Sequence, residues 1–236
     1  MLHLPETLCL ANLEENMIHI LGGTFIMVGK KSFGDSRPGK LVSLGMFYMC
    51  RFPVSQRLWE EVMGENPSWF QDPQRPVEKI SWDLINTQFL PALREKTGIE
   101  EYCLPTETQW EYAACGGQKG TLIKRKGLVF SGSDEVNEVG WYSQNTFEEP
   151  QAIGLKRPNS LGLYDMSGNV SEWCQDVVQI SNRRILDPME GDQRYVVQGG
   201  SWVREKDNSA IGFRLFNNSQ LINYNIGFRL CRTSLL

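Results

Sequence analysis

The densest run of side chains able to do chemistry is Leu161-Gly-Leu-Tyr-Asp-Met-Ser-Gly-Asn-Val-Ser-Glu-Trp-Cys174. Asp165 and Glu172 place two hard carboxylates seven residues apart, and Gly168 between them permits a sharp turn that can aim backbone carbonyls inward. Oxygen donors on an irregular loop suit calcium, which takes roughly six to eight of them in a tolerant geometry. An Asx-type turn followed by a solvated glutamate is the other reading of the same pattern. Elsewhere the groups a catalyst needs do not assemble. Both histidines, His3 and His19, lie near the N-terminus, and there is no GxSxG elbow, no Cys/His arrangement and no Gly-rich phosphate loop after a strand. Glu60-Glu61 and Glu148-Glu149 read as solvated pairs rather than an acid and a base. The six cysteines, Cys9, Cys50, Cys103, Cys115, Cys174 and Cys231, are scattered with no CxxC pair. That argues against zinc and for buried free thiols, with one or two disulfides as the alternative in a secreted product.

The end of the chain has a different character. It opens on Gly199-Gly200-Ser201-Trp202 and then nearly repeats itself, as Ile211-Gly-Phe-Arg-Leu-Phe216 and Ile226-Gly-Phe-Arg-Leu-Cys231. Between these anchors lie small polar residues and a tyrosine, suited to surface contact and hydrogen bonding rather than to acid–base work.

Stepping outward from these motifs, 236 residues with 41% hydrophobic and 22% charged content describe an ordinary globular chain, read as one domain. A net charge of −4, with no basic cluster beyond Lys124-Arg125-Lys126, argues against a nucleic-acid surface. No run approaches the roughly 20 apolar residues of a membrane span. Residues 1–16 show neither a basic leader nor a long apolar core, so no signal peptide is visible and the compartment stays open. Residues 18–28 read as a strand bent at Gly22-Gly23, and residues 41–50 as another strand or hairpin arm.

Three helices are expected. The first follows Ser55 as N-cap, carries Leu58, Trp59 and Val62, and ends at Gly64. The second runs from Trp82 to Lys96 with a break or kink at Pro91. The third follows a Thr106/Gln109 capping box and runs to Gly116-Gly117. Beyond residue 117, frequent Gly, Asn, Ser and Pro predict long structured loops with brief strands, hence a compact α+β fold. The seven tryptophans are expected to fill the core or pin loops, with Trp202 the one most suited to lie beneath a surface site.

Six stretches in order carry a resemblance: Ile20-Leu-Gly-Gly-Thr-Phe-Ile-Met27, Pro76-Val-Glu-Lys-Ile-Ser-Trp82, Leu104-Pro-Thr-Glu-Thr-Gln-Trp-Glu-Tyr-Ala-Ala114, Gly162-Leu-Tyr-Asp-Met-Ser-Gly-Asn-Val-Ser-Glu-Trp173, Gly199-Gly-Ser-Trp202 and Gly227-Phe-Arg229. Over residues 17–232 the chain resembles the formylglycine-generating enzyme (sulfatase-modifying factor) family, leaving residues 1–16 as an N-terminal extension. The resemblance implies a C-type lectin-like fold of the formylglycine-generating enzyme subclass. It also implies a structural calcium held by the Asp165 side chain, the Gly168 and Val170 carbonyls and Glu172. A second calcium loop of the family finds no match between Asn145 and Pro158.

Activity is not implied. The family's cysteine pair, which holds copper, falls by position on Arg204 and Ser209, so no copper is expected. The iron oxidases that share the fold need several histidines, which the chain lacks. A scaffold with its active-site region rewritten resembles the variable proteins of diversity-generating retroelements. Their variable segment starts near Gly-Gly-Ser-Trp and ends near Gly-Phe-Arg-Leu, as residues 199–231 do here. Adenine-directed change of Asn codons cannot reach Lys, Glu, Gln, Met or Trp, and in residues 203–225 only Glu205, Lys206 and Gln220 belong to that set.

The resemblance therefore implies ligand contacts at Val203, Arg204, Asp207, Asn208, Ser209, Asn217, Asn218, Leu221, Ile222, Asn223 and Tyr224. Phe213 and Phe228 are expected in the core, and Arg214 and Arg229 are expected to hold carbonyls or carboxylates beneath the site. The expected partner is a protein or other macromolecule, with no nucleic acid and no membrane insertion. Variable proteins of this kind imply display on a cell or phage surface. A fixed-ligand or subunit-interaction domain of the same family is the alternative, and a formylglycine-generating oxidase a weaker one.

Overall fold

In the computed structural model, residues 7–28, 39–118, 128–181, 184–185 and 192–233 are described; Lys124-Arg125-Lys126 and His3 lie outside them. The helix signals become working caps. Helix α1 is Gln56–Met63: the Ser55 side chain accepts from the Leu58 N–H, and Gly64 (φ 82°) takes the left-handed conformation that ends it. Helix α4 is Glu107–Ala114, opened by the Thr106/Gln109 capping box.

Between them, α2 (Trp82–Leu84) runs through a π-helical segment (Ile85–Phe89) into α3 (Leu90–Thr97). The expected break at Pro91 is absorbed by that wider turn. Proline lacks an N–H and presses on the carbonyl four residues back, and one π turn relieves the clash without ending the helix. Nearby carbonyls gain side-chain donors: Asn86 Nδ2 donates to Trp82 O (2.9 Å) and Thr87 Oγ1 to Asp83 O (2.7 Å).

Residues 18–28 form two strands rather than one bent strand. Strand β1 (Met17–Ile20) pairs with β4 (Phe47–Cys50), whereas β2 (Gly23–Met27) pairs with β3 (Lys40–Leu44). The switch falls at Gly22, where an added Cβ would meet Leu44 O at 2.4 Å. The first sheet has the order β1-β4-β11-β5, with β5 at Tyr102–Cys103 and β11 at Cys231–Thr233. The last strand thus closes its middle.

The second sheet has the order β10-β6-β8-β9, with β7 (Arg184–Ile185) also on β6. Its main strands are β6 (Ser171–Ser181), β8 (Asp192–Gln198), β9 (Arg214–Asn217) and β10 (Ile226–Gly227). Residues 7–16 are not an appendage. Leu8 and Leu13 are buried in the main core, and Ser55 Oγ donates to the Leu8 carbonyl.

The core centres on Trp59, stacked on Phe89 at 4.8 Å, with Phe228 edge-on to Phe89 at 5.1 Å. Phe228 is fully buried, while Phe213 is half-buried against the same cluster. The two Gly-Phe-Arg repeats share a logic: each delivers an arginine to a buried glutamate. Arg214 Nη1 lies 2.7 Å from Glu107 Oε1. Arg229, with no exposure, gives Nε and Nη2 to Glu172 (3.0 and 2.8 Å). Its remaining N–H groups go to the carbonyls of Cys50 (2.9 Å), Arg51 (3.0 Å) and Tyr164 (2.7 Å). All five guanidinium donors are used, which is what a buried cation requires.

Candidate ligand-binding site

The C-terminal segment crosses the surface with its main chain tied to loops outside it. Ser143 N–H donates to Arg204 O (3.0 Å), Lys79 N–H to Asn223 O (3.0 Å), and Asp83 N–H to Ser219 O (3.1 Å). Trp202 anchors the centre. Its N–H goes to Asn169 O (2.8 Å), its indole Nε1 to Tyr224 O (3.3 Å), and its carbonyl accepts from Thr146 Oγ1 (3.2 Å). These ties use the backbone of residues 199–231 apart from the Trp202 indole, while Arg214, Ser219 and Arg229 add side-chain ties to Glu107, Asp83 and Glu172. None of these ties uses the side chain of Val203, Ile222, Asn223 or Tyr224, so those four side chains do not set the path of the chain.

Above this frame lie two adjoining clefts. The larger, about 740 Å³, is lined by Trp69, Phe70, Ser143, Thr146, Glu148, Trp202, Val203 and Tyr224. The smaller, about 290 Å³, is lined by Trp69, Lys79, Ile222, Asn223 and Tyr224. Trp69 and Tyr224 border both. Phe70 meets Trp202 edge-on at 5.3 Å, the Tyr224 ring is 5.7 Å from Trp202, and Lys79 Nζ sits 5.6 Å from the centre of the Trp69 ring.

The far wall is rigidly built. The buried Glu78 carboxylate accepts from the N–H groups of both Trp69 and Phe70 (2.9 Å to the latter), and burial raises its pKa above the ordinary glutamate value. Lys79, Phe147 and Glu148 all take left-handed conformations (φ 60°, 51° and 62°). Such non-glycine strain costs of order 1 kcal/mol each and gathers at functional sites.

Of the eleven sequence-predicted contacts, Val203, Ile222, Asn223 and Tyr224 line the clefts. Arg204 follows Val203 in the chain, and Asp207 and Asn208 lie in the 3-10 turn Lys206–Ser209 beyond it, with Asp207 exposed and the other two half-buried. Asn218 is exposed and caps its own turn, accepting from Gln220 N–H (2.9 Å), while Leu221 is half-buried against the main core. Asn217 ends β9 opposite Tyr195 and lines neither cleft.

Ser209 is not a surface residue. It is 1% exposed, and Gly200 packs so closely on it that an added Cβ would meet Ser209 Oγ at 2.7 Å. Trp69, expected in the core or pinning a loop, is 70% exposed and forms the opposite wall. Phe70, Ser143, Thr146 and Glu148 were also missed. The adjacent aromatics in Asn-Pro-Ser-Trp-Phe70 were the available signal, since aromatic side chains on a turn-rich loop have little to bury against. Of the pair expected to be solvated, Glu149 is instead held by Arg75 in a two-pronged bond (2.8 and 3.0 Å).

The calcium expectation has one point of fit and one of competition. Asp165 is buried, and its Oδ1 has no hydrogen-bond partner. Burial raises its pKa to about 6, as for a carboxylate short of positive charge. Glu172, by contrast, accepts from Arg229 through both oxygens and from Trp110 Nε1 at 2.6 Å. Among the described residues no three His, Cys, Asp or Glu side chains cluster as metal ligands. The six cysteines are free. Burial pushes Cys50 to about 11 and Cys115 to about 12, and raises Cys174 and Cys231 well above the ordinary thiol value, so these thiols resist ionisation. His19 packs on Tyr48 in the first sheet (ring centres 4.9 Å) and lines neither cleft. Among the described residues no helix is long and apolar enough to cross a membrane.

A model of the sulfatase-modifying factor enzyme 1-like domain matches residues 4–234. The chain belongs to this family. Two family relatives are the chaperone protein LppX of Paenibacillus barcinonensis and the inactive C-alpha-formylglycine-generating enzyme 2 of Mus musculus. LppX is 30% identical over 248 residues, covering 85% of this chain and 83% of its own. The mouse protein is 30% identical over 279 residues, covering 92% and 85%. Among solved structures, Treponema denticola variable protein 1 superposes with a TM-score of 0.77 at 25% identity, covering 92% of this chain and 94% of its own. The fold is the C-type lectin-like α+β arrangement of the formylglycine-generating enzyme subclass.

Proposed function

We propose that this protein is a non-enzymatic ligand-binding display protein whose residues 199–231 form one wall of the binding groove and are diversified by a retroelement. The observation that carries the reading is the separation of roles in that segment. Val203, Ile222, Asn223 and Tyr224 open their side chains onto the clefts, while backbone bonds to other loops fix the chain beneath them. Exposed substitutions on such a frame change stability by only about 0.5 kcal/mol either way, and Tyr and Asn give contact area with adaptable hydrogen bonds.

Similarity to a protein named as a variable protein, and to a relative named as inactive, supports the same reading. So do Arg204 and Ser209, which stand where the resemblance places the oxidase cysteines and offer no thiolate to a copper ion. A calcium ion, if bound, would give the buried Asp165 Oδ1 its missing counter-charge, with the Gly168 and Val170 carbonyls and Glu172 completing its oxygen shell. Its role would be to stiffen the loop that receives Trp202. Display at a cell or phage surface is the setting such a protein serves.

The test is the DNA flanking the gene. A near-copy of its 3′ end beside a reverse transcriptase, differing where the copy carries adenines, is the expected result. An unaccompanied gene would retire diversification in favour of a fixed ligand or a subunit-interaction role.

A further inference from the structure

We propose that the groove is built for a quaternary ammonium group carried next to an anion, the chemistry of a phosphocholine head group. The proposal deepens the ligand-binding reading above and rests on it. Four aromatic rings, Trp69, Phe70, Trp202 and Tyr224, line the larger cleft, and among the described residues the only charged one in its lining is Glu148. Aromatic faces attract cations, most strongly where water is excluded. Glu148 makes no ion pair among the described residues, whereas its neighbour Glu149 is taken by Arg75. Glu148 lines the cleft as an exposed residue, on a backbone held in the left-handed conformation at Phe147 and Glu148. Arg204, next to Val203 in the chain, has a buried Nε without a hydrogen-bond partner, and Glu205 and Asp207 beyond it are exposed acids.

The kind of cation follows from what the cleft lacks. A primary ammonium or a guanidinium leaving water needs several acceptors. Apart from Glu148, the side-chain oxygens of this lining are the hydroxyls of Ser143, Thr146 and Tyr224, set among four aromatic rings, and Thr146 already donates to Trp202 O. A quaternary ammonium has no N–H to satisfy and asks only for aromatic faces and one counter-charge. The adjoining smaller cleft shares Trp69 and Tyr224 and carries Lys79, a cation placed for an anionic group on the other side of the same two rings. Lys79 Nζ, 5.6 Å from the Trp69 ring centre, also shows that this ring accepts a cation within the protein itself.

The groove then has two walls of different origin. Trp69, Phe70, Lys79 and Glu148 lie outside residues 199–231, and Val203, Ile222, Asn223 and Tyr224 lie within them. Trp69, Phe70 and Glu148, with the anchor Trp202, supply the head-group contacts that do not vary; Tyr224 adds a fourth ring in this sequence, and the diversified positions read whatever carries the head group.

The whole protein, labelled on its tryptophan indoles, is titrated with phosphocholine, tetramethylammonium, and 3,3-dimethylbutyl phosphate, the uncharged-carbon isostere of phosphocholine. Saturable shifts of the Trp69 indole with phosphocholine are expected, with the isostere weaker by about tenfold. Glu148→Gln should remove that preference. Lys79→Met should weaken phosphocholine and leave tetramethylammonium unchanged. Equal binding of the isostere, or shifts produced by cellotetraose but not by phosphocholine, overturns the proposal; so does no shift with any cation. Capture by phosphatidylcholine vesicles as well as by free phosphocholine assigns a lipid source, and capture of the free form alone assigns a non-bilayer carrier. Phosphocholine binding by a protein whose gene lacks the 3′ near-copy keeps this inference and retires diversification. A near-copy without ammonium binding does the reverse.

Discussion

Replacing Arg229 with methionine keeps much of the side chain's length and removes its charge. Glu172 is fully buried and bound to Arg229 through both oxygens, so the variant leaves an uncompensated carboxylate in the core. Breaking a buried pair from one side costs about 3–5 kcal/mol. The carbonyls of Cys50, Arg51 and Tyr164 each lose the guanidinium donor in the same step, Arg51 O keeping the Tyr164 N–H. Against a total stability of about 5–15 kcal/mol, this is about a fifth of the whole or more. Urea unfolding followed by tryptophan fluorescence gives the loss from the midpoint at constant slope. The informative companion is the double variant Glu172→Gln with Arg229→Met. It removes the stranded charge while a side-chain oxygen remains for Trp110, and should recover at least about 1 kcal/mol over the single variant. A single variant that loses less than about 1 kcal/mol, or a double variant no better than the single, would refute the assignment of Arg229 as the charge partner of Glu172.

Other substitutions separate frame from surface. Gly200 has φ 71° and its Cβ would stand 2.4 Å from Asn208 O, so Gly200→Ala should cost about 2 kcal/mol or more by thermal unfolding. Tyr224→Ala should stay within about 1 kcal/mol of wild type, because the ring is 48% exposed and the Trp202 bond goes to the Tyr224 carbonyl; unfolding at that site would count against the surface role. Burial raises the Glu78 pKa, so its contribution to stability is full below the unfolded-state value and lost as the pH rises through the folded-state one. Wild type should therefore fall behind Glu78→Gln above the ordinary glutamate range, and the two melting curves should converge at lower pH. Calcium added to chelator-treated protein should raise the melting temperature in a concentration-dependent way, and Asp165→Ala should abolish the rise; no shift in wild type would remove calcium from the account.

Local signals were legible where chemistry is local. Ser55, Gly64, Thr106 and Gln109 act through neighbours within a turn, so the ends of α1 and the start of α4 were readable from the residues alone. The π segment was not, because Pro91 announces a clash without saying how the helix relieves it. Two distant contacts misled the sequence reading. Ser209 looks like a surface residue until Gly200 is found packed on it, and Trp69 looks like core until it is seen opposite Tyr224. The near wall of the groove was readable because it is one continuous segment. The far wall comes from residues 69–79 and 143–148, brought beside that segment by the fold.

The central claim is that residues 199–231 vary on a constant frame, and deep sequencing of the gene's 3′ end across a population of the source cells tests it most directly. The account predicts variation concentrated at groove and flank positions such as Val203, Asn218, Ile222, Asn223 and Tyr224, with Trp202, Arg214, Phe228 and Arg229 unchanged. An invariant segment, or variation that falls equally on the buried anchors, would contradict it.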